Sequence, residues 1–532
     1  MIRPDGQTVT LNYDATKGRL NSVTLPNGTQ TIVYDDKGRI GSLTATDGSQ
    51  LSYGYDGALP VSETWTGTVN GTLNLTYNTD FQVTAASVNG NTVNYGYDND
   101  GLLLQAGSLQ LSHNAQNGLL LGTQLGNLTT QRSYNNFGEL QEETANYQSS
   151  PLFHRYYVRD KVGRITQKLE TYAGLTISTE YAYDVAGRLI EVKQNGSVVE
   201  TYQYDANGNR LNNNALYDAQ DRLLQYASNT YTYTQNGELL TKNTTTFNYD
   251  VLGNLRQVQL PSKTIDYVID ARNRRVGKKV NGQLVQGFLY QGSLKPVAEL
   301  NGTGQIVARF VYGSKANIPD YIVKNGNTYR VISDHPGSPR LVVDIQTGAV
   351  VQRMEFDAFG NVTLDTNPGF QPFGFAGGLY DLDTKLVRFG ARDYDAEIGR
   401  WTSKDPIKFA GGDTNLFGYV ANDPVNWVDP SGLGPWDQTY GWSKKFWNWF
   451  HKLDNGKTMK ELKNEKGQVE KDDALPYYEE WLKKQGNDDQ QGYIDPEILI
   501  DLMMPWWLAP SEMGADPCEL LGGNSCEVKH CE

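Results

Sequence analysis

A short tyrosine-led unit recurs along most of the chain, and this repetition constrains the fold more than any other feature of the sequence. The leading tyrosines of successive copies stand 16 to 22 residues apart over much of the run. A repeat of that length is one supersecondary unit, which must stack on its neighbours to bury an apolar face. The copies read YDATKGRL (13–20), YDDKGRI (34–40), YDNDGL (97–102), YNNFGEL (134–140), YDVAGRL (183–189), YDANGNRL (204–211), YDAQDRL (217–223) and YDVLGNL (249–255).

Each unit is predicted to form one β-hairpin. In residues 31–43, TIVYDDKGRIGSL, polar and apolar side chains alternate on both sides of an Asp-x-x-Gly turn, which is the period of a strand. We expect Asp35 to accept backbone N–H bonds and Gly38 to supply the positive φ of the turn. A second turn in each unit is marked by the hairpin dipeptides at 27–28, 47–48, 70–71, 89–90, 195–196 and 281–282, all Asn-Gly or Asp-Gly.

Hairpins of this kind are marginal alone and are expected to add edge to edge into one long antiparallel sheet. Strand twist and exposed edges make such a sheet coil, either as a solenoid or around a lumen. The 33 Tyr against only 6 Met also favour strands over helical cores. The sequence therefore predicts a mostly β fold.

Charge and hydropathy exclude several other classes of protein. The 47 Lys+Arg against 61 Asp+Glu give a net charge of −14, so nucleic-acid binding by the bulk of the chain is disfavoured. Residues 1–39 contain no apolar run typical of a secretory signal, and no 18-residue apolar stretch predicts a spanning helix. No motif in the sequence calls for a cofactor.

The repeats resemble those of the RHS, or YD-repeat, proteins, and the resemblance extends from about Tyr13 to Leu433. It implies a spiralling, hollow β-shell formed by residues 1–330. Residues 331–433 resemble the RHS repeat-associated core domain, with DHPGSPRLV at 334–342 and FGFAGGLYDLDTKLVRFGARDYDAEIGRW at 373–401. Residues 434–532 are then expected to be a separate, variable C-terminal module.

The resemblance also implies self-cleavage after the second of two DPxG elements. These map onto Asp405-Pro406 and onto residues 429–433, DPSGL, which places the scissile bond between Leu433 and Gly434. Two departures from the family pattern stand out: Lys408 replaces the usual glycine of the first element, and the spacer 409–428 has 20 residues instead of about eighteen. The first affects a turn that requires φ > 0, and the second is a tolerable loop insertion.

Two aspartates suit this chemistry because one carboxylate can act as general base on water while the other, protonated, donates to the peptide. Carboxyl groups a few ångströms apart share one proton, which splits their apparent pKa values. We therefore predict Asp405 and Asp429 as a catalytic dyad, without assigning the base. Lys404 or Arg400 is expected to stabilise its anionic form.

Several of these residues also have plain structural interpretations. Asp-Pro pairs commonly start turns, so Asp405 and Asp429 can be loop caps, and Asp423-Pro424 is interpreted as such a turn. His335, the only histidine of the core segment, is predicted to be structural. The core arginines are expected to form cross-strand pairs: Arg388, Arg392 and Arg400.

Composition changes abruptly at Gly434, after which lie seven of the ten Trp, all three Cys and no YD unit. This segment contains 11 Lys+Arg and 19 Asp+Glu. Helices are predicted at 443–453, 474–485 and 495–504, and the apolar run 498–509 is too short to span a bilayer. Its four metal-ligating side chains lack a CxxC knuckle and form only a weak zinc candidate: Cys518, Cys526, His530 and Cys531.

Together these features predict a polymorphic-toxin shell of bacterial competition that encloses its own C-terminal segment and severs it by aspartic-type, single-turnover autoproteolysis. The implied partners are that segment as cargo, a cognate immunity protein and a secretion apparatus. The sequence does not decide whether the protein contacts a membrane. The implied location is the cell surface or outside the cell, reached without a classical signal peptide. The alternative is a non-enzymatic YD-repeat surface or adhesive scaffold.

Overall fold

The computed structural model describes residues 2–434, and its strands form three antiparallel sheets. Sheet one has 19 strands: β1 Thr10–Tyr13, β2 Leu20–Leu25, β3 Gly28–Tyr34, β4 Ile40–Thr44, β5 Gln50–Asp56, β6 Leu59–Thr66, β7 Gly71–Tyr77, β8 Val83–Val88, β9 Asn91–Tyr97, β10 Leu103–Ala106, β11 Leu109–His113, β12 Leu120–Leu125, β13 Leu128–Tyr134, β14 Leu140–Tyr147, β15 Ser150–Arg159, β16 Ile165–Tyr172, β17 Leu175–Tyr183, β18 Leu189–Gln194 and β19 Ser197–Thr201.

Sheet two has 16 strands and sheet three has four. Sheet two comprises β20 Leu216–Tyr217, β21 Leu223–Tyr226, β22 Asn229–Tyr233, β23 Leu239–Lys242, β24 Thr245–Tyr249, β25 Leu255–Gln259, β26 Thr264–Ile269, β27 Arg275–Val280, β28 Gln283–Gln291, β29 Lys295–Asn301, β30 Ile306–Val311, β31 Tyr321–Lys324, β32 Asn327–Ser333, β33 Pro339–Asp344, β34 Val350–Phe356 and β35 Val362–Asp365. Sheet three comprises β36 Leu379–Tyr380, β37 Leu386–Phe389, β38 Arg392–Asp395 and β39 Arg400–Trp401.

Every strand of a sheet pairs antiparallel with the next strand in the chain, so each sheet is a continuous meander. The predicted YD-repeat β-fold and its hairpin unit are confirmed. Three of the six predicted dipeptides, at 89–90, 195–196 and 281–282, have positive φ at both residues; Asn195 and Gly196, for example, have φ values of 49° and 80°. At 27–28 and 47–48 only the glycine has a positive φ, and at 70–71 neither residue does, because Gly71 already begins β7. Two successive left-handed residues are what a type I′ hairpin turn requires.

The first turn of each unit is held by the residue after the leading tyrosine, an aspartate in most copies and Asn135 in the copy at 134–140. Oδ1 of Asp35 accepts the N–H groups of Lys37 and Arg39 at 3.0 and 2.9 Å, and its Oδ2 accepts Nε of Arg39 at 2.7 Å. Gly38 has a φ of 85°. The guanidinium of Arg39 then lies 4.4 Å from the ring centroid of Tyr55, in the following unit. One turn therefore fixes its own loop and contacts the next unit.

The tyrosine of each unit closes the same junction with a hydrogen bond. The hydroxyl of Tyr55 donates to the carbonyl oxygen of Ile40 at 2.8 Å, at the start of the preceding returning strand. The same bond recurs, at 2.7 to 3.0 Å, from Tyr34, Tyr77, Tyr97, Tyr134, Tyr183, Tyr204, Tyr290 and Tyr312 to the corresponding carbonyls. The repeated tyrosine is therefore a bridge between neighbouring units.

Sheets one and two pack face to face through apolar side chains. One cluster joins strands β5–β8 to strands β26–β32, with Leu51, Trp65 and Val88 against Leu289 and Ile322. Further clusters join β9–β12 to β30 and β31, and β13–β15 to β32 and β33. The main core therefore lies between the two sheets, as expected for sheets with one apolar face.

The run of paired strands breaks at residues 202–215, where the chain passes from sheet one to sheet two. Residues 373–433, here called the closing unit, contain sheet three and pack around an aromatic cluster of Phe375, Phe389, Tyr394, Trp401 and Tyr419. Sheet two extends to Asp365. The predicted boundary at residue 331 therefore falls inside sheet two.

The closing unit is anchored on this break by polar contacts. Arg400 Nη1 donates to Asn209 Oδ1 at 2.6 Å, and Asn415 Nδ2 donates to the same oxygen at 2.7 Å. Arg210 Nη2 donates to the carbonyl of Glu397 at 2.7 Å. Because Asn209 is only 1% exposed, these bonds form in a buried interface.

The helical elements of residues 2–434 are four short 3₁₀ turns, at Asn212–Asn214, Phe375–Gly377, Lys408–Gly411 and Val420–Asn422. None of these described turns has the length or apolar character of a helix that crosses a membrane.

Candidate active site

The closing unit brings Asp405 and Asp429 to one buried place. Asp405 follows β39 and precedes the 3₁₀ turn at 408–411, and Asp429 starts the last turn before Leu433. The two residues are 7% and 1% exposed. The Nη2 atom of Arg392 lies 2.9 Å from Oδ2 of Asp405 and 3.3 Å from Oδ2 of Asp429. One guanidinium therefore joins the two carboxyl groups.

Both aspartates begin the same kind of tight turn. The N–H of Lys408 donates to the Asp405 carbonyl at 3.0 Å, and the N–H of Gly432 donates to the Asp429 carbonyl at 3.3 Å. Lys408 and Gly432 have φ values of 53° and 68°, so both are left-handed. The DPIK element thus keeps the turn of the DPSG element, with a lysine in a backbone conformation that favours glycine.

The Asp429 carboxylate contacts the backbone on both sides of the Leu433–Gly434 bond. Its Oδ2 accepts the N–H of Gly434 at 3.0 Å, and its Oδ1 accepts the N–H of Leu433 at 3.1 Å. The Ser431 hydroxyl donates to the same Oδ1 at 3.0 Å. The nitrogen of the peptide bond between Leu433 and Gly434 therefore lies within hydrogen-bond distance of one member of the pair.

The Asp405 carboxyl and the Leu433 carbonyl oxygen both lie close to Gly411. A Cβ atom built on Gly411 would lie 2.5 Å from Oδ2 of Asp405 and 2.8 Å from the carbonyl oxygen of Leu433. Both oxygens therefore border the same small space over Gly411, which any larger residue would fill. A Cβ on Gly434 would in turn lie 2.9 Å from the Gly411 carbonyl oxygen. This close approach of two backbones covers the peptide.

Burial raises the pKa of Asp405 to about 7; Arg392 opposes the rise and the neighbouring Asp429 adds to it. Burial also raises the pKa of Asp429, opposed by Arg392 and by the N–H groups of Gly434 and Leu433. A carboxyl desolvated beside a second carboxyl retains its proton at higher pH. The pair therefore consists of two buried carboxyl groups with raised pKa values and one counterion, Arg392.

Neither of the predicted supporting cations lies between the carboxyl groups. Nζ of Lys404 donates to Oε1 of Gln220 at 3.0 Å, and its methylene chain packs on Gly237. Arg400 bonds Asn209 and stacks on Tyr217 in the break between the sheets. Their side chains project away because Lys404 and Arg400 precede Asp405 on a segment that packs against sheet two. The cation between the carboxyl groups is Arg392, for which only a cross-strand pair was expected.

The other singled-out residues of the core segment lie apart from the dyad. His335 packs edge-on against Tyr157, with ring centroids 5.8 Å apart, and burial holds its pKa well below the usual range. Oδ1 of Asp423 accepts Nδ2 of Asn426 at 2.8 Å, as in a capped turn. Arg388 pairs with Asp393 at 3.0 Å.

Sequence reasoning missed Arg392, Ser431 and Gly411 as parts of the site. Arg392 gives no local signal because its partners lie 13 and 37 positions further along the chain. Within the described residues no group of His, Cys, Asp and Glu is arranged to hold a metal ion. The zinc candidate and the predicted helices of residues 435–532 lie outside the described part of the chain.

Comparison with known proteins places this geometry in context. The family model described as Teneurin YD-shell matches residues 1–425. Teneurin-3 of Mus musculus is 30% identical over 315 residues, which cover 53% of this chain and 11% of the relative. Teneurin-4 of Homo sapiens is 29% identical over 427 residues, covering 75% of this chain and 15% of the relative.

A bacterial protein is also similar. Double-stranded DNA deaminase toxin A of Burkholderia cenocepacia (strain H111) is 29% identical over 363 residues, covering 58% of this chain and 25% of that protein. Among solved structures, the crystal structure of TcdB2-TccC3 matches with a TM-score of 0.66 at 18% identity, over 81% of this chain and 27% of that chain. The chain thus spans a quarter or less of the curated relatives named here, and the structural match concerns the fold.

Proposed function

This chain belongs to the Teneurin YD-shell family of YD-repeat proteins, and from that premise we propose that its closing unit cuts the chain once, between Leu433 and Gly434. The shell then serves as the scaffold that folds the cutting site and retains the released C-terminal segment. Asp405 and Asp429 are the catalytic pair, and Arg392 is their counterion. The observation that supports this proposal most is the position of the pair at one peptide bond: Asp429 Oδ2 accepts the Gly434 N–H, and Asp405 Oδ2 and the Leu433 carbonyl oxygen both lie close to Gly411.

The geometry favours different roles for the two aspartates. Asp405 Oδ2 and the Leu433 carbonyl oxygen both lie close to Gly411, and Asp405 has a pKa of about 7, so in the proposed reaction Asp405 holds the proton and donates it to that oxygen. The Asp429 carboxylate accepts four hydrogen bonds, from the Ser431 hydroxyl, the Leu433 and Gly434 N–H groups and Arg392, and these donors favour its anionic form. Asp429 is therefore the general base on water.

The reaction then balances in two steps. A water molecule adds to the carbonyl carbon of Leu433 as Asp429 takes one of its protons and Asp405 gives its own to the carbonyl oxygen. In the second step Asp429 passes its proton to the nitrogen of Gly434, the C–N bond breaks, and Asp405 recovers a proton from the new carboxyl group. The products are a C-terminal carboxylic acid at Leu433 and a free amine at Gly434. Because the substrate is part of the same chain, its position replaces a binding step.

The test is the covalent state of the purified protein. On a denaturing gel the wild type is expected to give a large fragment ending at Leu433 and a small fragment comprising residues 434–532. Mass spectrometry must find Gly434 as the first residue of the small fragment. Acid hydrolysis of Asp-Pro bonds during preparation would instead expose Pro406 or Pro430.

Replacing either catalytic carboxyl should leave the chain intact. Asp405→Asn and Asp429→Asn keep the size of each side chain but remove its proton transfer, so the small fragment should disappear in both. The matched control is Asp423→Asn, which alters a third buried Asp-Pro pair of the same unit. A full-length wild-type chain, or cleavage that survives both substitutions, would refute the proposal.

The released segment is proposed to be the effector of a polymorphic toxin in bacterial competition, held as cargo by the shell. Support comes from the similarity of residues in the shell to a deaminase toxin of Burkholderia cenocepacia. An immunity protein and a secretion apparatus follow as proposed partners, and the cell surface or the exterior as the proposed location. Expression of residues 434–532 alone in a bacterium tests toxicity directly.

A non-enzymatic scaffold is the second candidate function. It is favoured by the span of the family match, which ends at residue 425, before Asp429 and the proposed scissile bond. Teneurin-4 of Homo sapiens is similar over 75% of this chain. A shell used only as a binding or adhesive surface would stay a single intact chain in the gel experiment above.

A further inference from the structure

The last residue of the 3₁₀ turn at Lys408–Gly411 lies where three parts of the proposed cleavage site meet. A Cβ atom on Gly411 would lie 2.5 Å from Oδ2 of Asp405 and 2.8 Å from the carbonyl oxygen of Leu433. The two oxygens are therefore separated by no more than the sum of these distances. On the other side of the proposed cut, a Cβ atom on Gly434 would lie 2.9 Å from the carbonyl oxygen of Gly411.

The backbone conformation of Gly411 does not by itself require glycine. Its φ lies outside the left-handed region, whereas Lys408 and Gly412 have φ values of 53° and 92°. The backbone would therefore accept alanine at position 411, and only the neighbouring atoms exclude a side chain. A separation under 3.0 Å is closer than a Cβ atom tolerates, so a methyl group here would force atoms of the site apart.

Both oxygens beside Gly411 are held in place by other contacts. Oδ1 of Asp405 accepts the N–H of Ile407 at 2.9 Å, and its Oδ2 lies 2.9 Å from Nη2 of Arg392. The scissile carbonyl belongs to a peptide plane whose N–H donates to Oδ2 of Asp429 at 3.0 Å. A methyl group at position 411 would therefore separate the Asp405 carboxyl from the scissile carbonyl oxygen, or break one of these contacts.

We propose that Gly411 is a positioning residue for the cut between Leu433 and Gly434. Only a residue without a side chain at position 411 lets the Asp405 carboxyl and the scissile carbonyl oxygen border one space, which the transfer of a proton to that oxygen requires. This role rests on the function proposed above and adds a steric requirement to it. Position 434 should have a weaker requirement of the same kind, since a Cβ atom there would meet one backbone oxygen at 2.9 Å.

The test is the first-order rate of cleavage of the freshly synthesised full chain, measured by gel. Displacing a catalytic group by about 1 Å can cost about 100-fold in rate, so Gly411→Ala should slow cleavage at least about 100-fold. Gly434→Ala should also slow cleavage, but less than Gly411→Ala does. Because Gly434→Ala tests the same contact from the side of the substrate, it decides the matter even if Gly411→Ala does not fold.

The pH profile separates a positioning role from a general loss of structure. In the wild type the rate should fall above pH 7, because Asp405 has a pKa of about 7 and must be protonated. The residual rate of Gly411→Ala should not fall there, since Asp405 no longer donates to the carbonyl oxygen. The charged groups around Asp405 are the same in both proteins: Arg392, Asp429 and Asp413.

The matched control is Gly122→Ala in β12. The φ of Gly122 also lies outside the left-handed region, and a Cβ atom there would overlap the backbone carbonyl of Thr130 on β13. This variant should have a lower urea midpoint and an unchanged cleavage rate. A wild-type rate in Gly411→Ala or Gly434→Ala, a wild-type pH profile in Gly411→Ala, or an equal loss of rate in Gly122→Ala would each overturn the proposal. An intact wild-type chain would instead refute the cut itself, so the two failures are distinguishable.

Discussion

The pKa of Asp405 determines how the rate of the proposed cleavage depends on pH. Burial raises the pKa of this carboxyl from 3.8 to about 7, and in the proposed mechanism it must be protonated. The rate of cleavage should therefore be highest below pH 7 and fall about tenfold per pH unit above it, provided Asp429 stays ionised. Chain synthesised in a cell-free extract and diluted into buffers from pH 5.5 to 8.5 allows the first-order rate to be measured by gel. A rate that rises steadily above pH 7 would contradict the assignment of Asp405 as the acid.

The same shift in pKa has a consequence for stability. Between pH 3.8 and about 7 the folded chain binds more protons at Asp405 than the unfolded chain does. The free energy of unfolding therefore decreases as pH rises through this window. In Asp405→Asn the decrease in unfolding free energy between pH 5 and pH 7.5 should be smaller. The urea midpoints of this uncleaved variant at the two pH values measure the decrease, and Asp423→Asn is the reference.

Lys408 has a left-handed backbone conformation, which costs a lysine more free energy than it would cost a glycine. A non-glycine residue at φ 53° is disfavoured by about 1–2 kcal/mol, partly offset by the entropy lost on ordering glycine. Lys408→Gly should therefore stabilise the protein by about 1 kcal/mol in urea unfolding and keep its cleavage. Lys385 has a φ of 63°, so Lys385→Gly should also stabilise the protein. Lys193 lies within β18, so Lys193→Gly should destabilise the protein. Equal effects at the three positions would exclude the backbone explanation.

At the scale of the element, the tyrosine bridge predicts a uniform cost at every junction between units. Tyr→Phe at positions 34, 55, 77, 97 and 134 removes a hydroxyl that donates to a neighbouring carbonyl. Each substitution should cost about 1 kcal/mol in urea unfolding, and distant pairs should add. Tyr13→Phe serves as control, because Tyr13 is 51% exposed and begins the series. A comparable loss in Tyr13→Phe would mean that the bridge is not the cause.

The hairpins could be predicted because all of their determinants are local. Strand alternation, the Asp35 turn and the Asn-Gly turns each act within a few residues, so the period alone defines the unit. The pairing of two sheets into one apolar core could not be predicted, since the contacts of Leu51 with sheet two span more than two hundred positions. Arg392 was missed for the same reason: strand spacing predicts a cross-strand partner, and only the fold of the closing unit supplies the two carboxyl groups.

At the scale of the whole molecule, the cutting site and the shell share a structural element. Asn415 bonds Asn209 in the break between the sheets, and the carbonyl of the adjacent Leu416 accepts the N–H of Asp405 at 2.9 Å and Nη1 of Arg392 at 3.3 Å. The loop that positions the dyad therefore rests on the junction of sheets one and two. It follows that the dyad is complete only when both sheets have formed, so cutting should follow the folding of the shell.

Asn209→Ala tests this dependence. The substitution removes the acceptor shared by Arg400 and Asn415, so the loop carrying Asp405 loses two of the buried hydrogen bonds that hold it on the break, while both sheets keep their strand pairing. Cleavage after Leu433 should slow at least about tenfold, the equivalent of one buried hydrogen bond, with an unchanged β signal in circular dichroism. Asn70→Ala is the matched control, since Asn70 lies in an exposed turn of sheet one, where it bonds Gly67. If Asn209→Ala cleaves at the wild-type rate, the closing unit forms its site without the shell, and cutting is not a consequence of shell completion.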